Sequence, residues 1–125
     1  MFNDISLNDI WYKKREKVIM ARKDSIDIGE LTDSAFYILS SVSEEKHGYL
    51  IMKTIEEFTE NKVTIGPASL YTTLKKLLVA GLVELKPSTD ENKKIYKITS
   101  LGREMLIKEI ERKKQMINFA EKFLK

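Results

Sequence analysis

Apolar residues recur along most of this chain at the three- and four-residue spacings of amphipathic helices, and at one place they switch to the alternation of a hairpin. The clearest helix runs from Pro67 to Ala80, where Leu70, Leu74, Leu77 and Leu78 form one stripe at offsets of four, seven and eight. Pro67 suits its first position, where a missing N–H has no partner to lose, and Gly81 stands where a left-handed cap closes a helix. Opposite the stripe lie Ser69, Thr72, Lys75 and Lys76, with Tyr71 at the border and no acidic residue. Beyond Gly81, Leu82 to Lys86 alternates apolar and polar, Pro87 to Asn92 makes a turn, and Lys94 to Ile98 alternates again.

Lysines and threonines opposite a leucine stripe would serve any solvated helix. The hairpin that follows changes the reading, because a helix running straight into two strands is a winged helix-turn-helix unit. In that unit the helix enters a DNA major groove and the hairpin lies near the neighbouring backbone. Two scaffold helices precede it. One opens at Thr32 or Asp33 and carries Ala35, Phe36, Ile38, Leu39 and Val42 into the core. After a polar turn at Ser43 to Lys46, His47-Gly48-Tyr49 leads into Leu50 to Phe58, where Leu50, Ile51, Ile55 and Phe58 make a further apolar face. Asp4 to Lys23 reads as a ragged helix with Trp11 as the anchor of a protein contact, and Ser25 to Glu30 as a break.

From Ser100 to Lys125 the chain carries no proline and no glycine beyond Gly102, with Thr99 as a plausible cap. Leu106, Ile110, Ile117, Ala120 and Leu124 follow at spacings of four, seven, three and four, a near-heptad seam interrupted at Lys113, with Phe119 and Phe123 alongside. Leu101 and Met105 can fold back on the same chain. The end of such a helix stands about 30 Å from the domain, at about 1.5 Å per residue over about 20 residues. These seam residues and Trp11 are therefore expected to form a homodimer interface. Twofold symmetry would set two recognition helices about 34 to 36 Å apart, or a multiple of it, on a pseudo-palindromic operator. The cleft between paired helices also offers room for a small apolar effector, although plain packing is the simpler use of Phe119 and Phe123.

The expected fold is thus mostly α with a small β-hairpin wing. Residues 1–30 form an N-terminal helical arm, 31–99 the winged helix-turn-helix DNA-binding domain, and 100–125 the long C-terminal dimerisation helix. At 125 residues, 42% hydrophobic and 33% charged, one globular domain exhausts the apolar material. With no cysteine and one histidine, no P-loop and no H-E-x-x-H, the chain offers no catalytic, metal or cofactor constellation. His47 suits a hydrogen-bonding loop position better than a catalytic base. No uninterrupted apolar run is long enough to cross a membrane and no signal peptide opens the chain, so a cytoplasmic protein is expected.

The net charge of +3 says little, but its distribution says more. Residues 1–30 hold six basic and six acidic groups, 31–66 three against six, 67–99 six against three, and 100–125 seven against four. Positive potential falls on the recognition helix and hairpin, as a phosphate-binding surface requires.

Ile38-Leu39, His47-Gly48-Tyr49, Leu70-Tyr71, Leu74-Lys75-Lys76-Leu77, Gly81-Leu82-Val83 and Lys93 to Thr99 with Gly102 stand in a recognisable order and spacing. In these motifs the chain resembles the PadR family of transcriptional regulators, from Leu31 to Leu106. The resemblance implies a winged-helix homodimer in a bacterial or archaeal cytoplasm, usually a repressor relieved by a small molecule or stress signal. It also implies that Tyr71 matches a recognition-helix tyrosine lying against the DNA backbone, with Lys75 and Lys76 as the basic pair after it. Partial burial in the core is the other reading of Tyr71.

Two departures stand out. Ile95 occupies a position often aromatic in the family, and the tip from Ser88 to Asn92 carries Asp90 and Glu91, which phosphate repels. Deep insertion of the tip into a minor groove is therefore disfavoured, and Lys93 and Lys94 become the expected backbone contacts. Ser69 and Thr72 are expected at base edges, and Tyr71, Lys75, Lys76, Lys93 and Lys94 at phosphates. The competing reading is a winged-helix adaptor that binds protein and never meets DNA. Salt separates the two, since only phosphate contacts weaken steeply with ionic strength.

Overall fold

The computed structural model describes residues 31–90 and 92–124. In chain order the elements are α1 (Asp33–Ser41), β1 (Lys46–His47), α2 (Gly48–Phe58), α3 (Pro67–Val79), β2 (Val83–Lys86), β3 (Ile95–Ile98) and α4 (Ser100–Glu121). The expected N-terminal arm, with Trp11, lies outside the described residues.

Helix α1 is the centre of the packing and touches α2, α3 and α4. Thr32 starts it, its Oγ1 accepting the Ala35 N–H at 3.1 Å, and Ile38, Leu39 and Val42 at its far end are fully buried. They meet Ile51 and Ile55 of α2 and the α3 stripe of Leu70, Leu74 and Leu77 in one core. Burial of each such side chain contributes about 1.5 to 3 kcal/mol, so this cluster is what holds the helices together. Leu78, expected on the stripe, packs at its margin and is half-buried.

Helix α2 departs from expectation at both ends. It begins at Gly48 rather than Leu50, and its buried residues are Gly48, Ile51 and Ile55. Leu50 is 44% exposed and Phe58 85% exposed. Leu50 sits one residue, about 100°, off the Ile51–Ile55 line. Phe58 is the last helical residue and has passed the edge of the core. The turn that follows holds Glu60 and Asn61 at φ of 53° and 63°, and Asn61 N–H reaches back to the Glu56 carbonyl at 2.8 Å. Thr59 Oγ1 braces it, donating to Ile55 O at 2.7 Å and accepting from Val63 N at 3.1 Å.

The wing is a three-stranded antiparallel sheet in the order β1-β3-β2, not the two-stranded hairpin expected. Two residues, Lys46 and His47, pair with Tyr96 and Ile95 on the outer side of β3, while Val83 and Leu85 of β2 pair with Ile98 and Tyr96. At the wing's base the chain is tied to itself. Gly81, at φ +78°, closes α3: its N–H meets Leu78 O at 3.1 Å and Leu82 N–H meets Leu77 O at 2.9 Å, the paired bonds of a Schellman cap. Thr99 Oγ1 donates to Gly81 O at 2.7 Å and accepts the Gly102 N–H at 3.0 Å, while Thr99 N–H meets Leu82 O at 3.0 Å. One residue therefore caps α4 and ties it to the end of α3.

The first half of α4 belongs to the winged domain. Leu106, expected in the dimer seam, is buried in the chain's own core, so the seam starts further along. Beside it Glu109 is 1% exposed. Its carboxylate accepts the Leu31 N–H at 3.1 Å and two guanidinium bonds from Arg112, at 2.7 and 3.0 Å. The Arg112 bonds, supported by Leu31, hold the Glu109 carboxyl below the usual carboxylate range despite its burial. Because the folded state favours the ionised form, Glu109 contributes stability at and above pH 4.5, its ordinary value. That contribution is lost as acid titrates it further down. In thermal melts, Glu109→Gln is expected to cost about 1–3 kcal/mol near neutral pH and to reduce the fall in Tm as pH drops below 4.5. An identical acid slope in the two proteins would contradict this.

Candidate nucleic-acid interface

On α3 the core stripe dictates what faces outward. With Leu70, Leu74 and Leu77 buried, Ser69, Thr72 and Lys75 are exposed, while Lys76, expected on the same outward face, is half-buried. The helix has no acidic residue in its first turn and no side-chain cap at Gly66. Its N-terminal N–H groups and positive dipole end are thus open to an anion.

Tyr71 is 49% exposed and leans toward α2. A Cβ placed on Gly48 would lie 2.3 Å from the Tyr71 hydroxyl and 2.8 Å from Cζ. Glycine at 48 therefore makes room for this ring at the first turn of α2. The sequence motifs around His47-Gly48-Tyr49 and Leu70-Tyr71 are two halves of one contact. That pairing was not legible in the chain, where they stand more than twenty residues apart.

The wing completes the arrangement. Lys93 and Lys94 are exposed at the foot of β3, and with His47, Gly48, Tyr49, Tyr71, Asn92 and Tyr96 they line a cleft of about 440 Å³. Burial, together with the neighbouring Tyr71, pushes the Tyr96 hydroxyl pKa up, so this group stays a neutral O–H donor. Lys46 is engaged elsewhere, its Nζ donating to the Ser41 carbonyl at the end of α1. At the tip, Asp90 Oδ1 accepts the Asn92 N–H at 3.0 Å and Asp90 O accepts the Lys93 N–H at 3.0 Å. Asp90 shapes the turn that presents the two lysines, a use that accounts for an acid in a basic wing.

The C-terminal candidates stand apart from this face. Ile110, Ile117, Phe119, Ala120, Phe123 and Leu124 are all exposed, and the Phe119 and Phe123 rings pack on each other at 5.1 Å between centroids. Lys113, where the seam is interrupted, lies with its Nζ 5.0 Å from the centre of the Phe36 ring on α1. The interruption thus marks where α4 leaves its own domain. Among the described residues no group of His, Asp and Glu side chains is placed to hold a metal ion, and no helix is long and apolar enough to cross a membrane.

No curated protein sequence matches the chain. Among solved structures it is similar to a transcriptional regulator from Clostridium thermocellum, at 22% identity over 87% of this chain and 99% of that one, with a TM-score of 0.66. A PadR family transcriptional regulator from Eggerthella lenta aligns at 18% identity over 94% and 95% of the two chains, with a TM-score of 0.64. A mutant of MarR from E. coli, complexed with operator DNA, aligns at 19% identity over 80% and 66%, with a TM-score of 0.51. These likenesses establish a shared winged-helix fold. A family model, that of the transcriptional regulator PadR-like family, matches residues 38–108, which run from the middle of α1 through the wing into α4. With that match over more than half of its length, the chain belongs to the PadR-like family of transcriptional regulators.

Proposed function

We propose that this regulator binds double-stranded DNA as a homodimer and represses transcription from a pseudo-palindromic operator. The observation that carries this reading is the cleft that brings Tyr71 of α3 together with Lys93 and Lys94 of the wing, beside an α3 face of Ser69, Thr72 and Lys75 free of carboxylates. Such a surface suits a groove flanked by phosphates. In this arrangement Ser69 and Thr72 reach base edges, while Tyr71, Lys75, Lys76, Lys93 and Lys94 hold the backbone. The exposed seam of α4 pairs with that of a second copy, and the Trp11 arm joins it. The division into an arm (1–30), a DNA-binding domain (31–99) and a dimerisation helix (100–125), a cytoplasmic location, and a small apolar effector lodged between the paired helices all belong to the same reading.

Footprinting on the gene's own upstream region locates the operator. On that DNA, Lys75→Ala or Lys76→Ala is expected to weaken binding to every sequence and to lower the slope of log affinity against log salt by about 0.9. Thr72→Ala instead relaxes preference at one base position, by about 1–3 kcal/mol of discrimination. Folded lysine variants with unchanged affinity and slope would place α3 in the wrong orientation. Absence of any salt-dependent DNA binding by the native protein would favour the protein-adaptor reading.

A further inference from the structure

We propose that the cleft between the start of α2 and the tip end of β3, lined by His47, Gly48, Tyr49, Tyr71, Lys93 and Lys94, is a composite seat for a single phosphate of the DNA backbone. The inference rests on the DNA-binding reading and goes further. It makes helix-turn-helix and wing hold one and the same phosphate, and gives His47-Gly48-Tyr49 a part in the grip.

Four observations converge. Among the described residues the lining supplies two lysines, a histidine and three tyrosines with no carboxylate, so its chemistry is that of an anion site. His47 Nδ1 is buried and has no hydrogen-bond partner, a state native proteins avoid unless a ligand or water completes the group. Helix α2, 11 residues long, starts without a side-chain cap, whereas Thr32 and Thr99 seal the starts of α1 and α4. Its first N–H groups therefore remain open at the cleft, where an anion is favoured. Finally, Gly48 is the position at which any Cβ would collide with the Tyr71 hydroxyl, at 2.3 Å, so the recognition helix sets that hydroxyl at the start of α2. The cleft, about 440 Å³, is larger than one phosphate needs and admits the group with its sugar edge and bridging water. A backbone phosphate is favoured over a free one because two of the three walls, α3 and the wing, are the elements placed on the duplex.

The test is a double-mutant cycle on the full-length protein with Tyr71→Phe and Lys94→Gln. Binding to a mixed-sequence duplex is followed by fluorescence anisotropy across a salt series. Lys94→Gln is expected to weaken binding about tenfold and lower the salt slope by about 0.9, while Tyr71→Phe weakens it severalfold with the slope unchanged, since no charge is lost. If both groups hold one phosphate, the double variant loses clearly less than the product of the two single losses. Losses that multiply, or a Lys94→Gln slope equal to that of the native protein while Lys75→Ala lowers it, would overturn the seat and leave DNA binding standing. If the native protein shows no salt-dependent duplex binding, the DNA reading fails and inorganic phosphate decides the seat. Shifts of the Gly48 and Tyr49 amide signals that vanish in Lys94→Gln would keep it as a site for free phosphate, and their absence would overturn it.

Discussion

Gly102→Ala is expected to be among the most destabilising single substitutions in this protein, although it replaces glycine by the best helix former inside a helix. Propensity alone would gain about 1 kcal/mol. The packing opposes it, because a Cβ at 102 would lie 2.1 Å from the Leu82 carbonyl oxygen, 3.0 Å from its carbon and 2.9 Å from Ile98 Cγ1. None of these can move cheaply. The Leu82 carbonyl is held by the Thr99 N–H at 3.0 Å and the Leu82 N–H by Leu77 O at 2.9 Å, so relief requires lifting α4 off the sheet. Overpacking of this kind costs about 1–3 kcal/mol and more where backbone is the obstacle, out of a total of about 5–15 kcal/mol for a domain. A fall in Tm of about 10 °C is expected by circular dichroism. Gly66→Ala serves as the comparison, since nothing lies within 4 Å of a Cβ there and its cost is about 1 kcal/mol or less. Equal melting of the two variants would refute the close approach of α4 to Leu82 and Ile98.

The second large effect is on assembly. Ile117→Asp combined with Leu124→Asp is expected to give a folded monomer that retains only weak, non-specific DNA binding. These side chains are 56% and 83% exposed and touch nothing in the core, so the single chain has no reason to unfold. In the proposed dimer they lie in an apolar seam, where two carboxylates per helix have no partner. Loss of the second half-site should lower specific affinity by about a thousandfold or more. Sedimentation of the native protein as a monomer at micromolar concentration would sink the dimer, and a dimeric double variant would move its interface elsewhere.

How much of this was legible in the chain depended on periodicity. Leu70, Leu74, Leu77 and Leu78 forecast α3 within a residue because four leucines over-determine a helical face, and Pro67 and Gly81 bracket it chemically. The outward positions of Ser69, Thr72 and Lys75 followed at no further cost. Where a signal needed only two residues, or a partner distant in sequence, it was silent. Strand β1 is made by backbone pairing of Lys46 and His47 with β3, and no side-chain pattern can announce a strand that short. Phe58 looked like core because it continues the spacing from Ile51 and Ile55, yet the helix ends there and, among the described residues, no wall stands beyond it. Glu109 and Arg112, three apart on a helix, look like an ordinary surface pair. Only the fold shows that one of them is buried against the start of α1.

The knot at the foot of the wing has a consequence for how such a protein diversifies. Gly81, Leu82 and Thr99 are fastened to one another, and Val83, Tyr96 and Ile98 anchor the paired strands in the core, so the base of the hairpin is fixed. The exposed tip beyond Lys86 carries none of these anchors and is the part insulated from the domain's stability. Doubling the length of a flexible segment there costs only about 0.6 kcal/mol of closure entropy. The hairpin tip can be lengthened, trimmed or recharged as an exchangeable fitting, and a lineage or an engineer can try new tips without reopening the core.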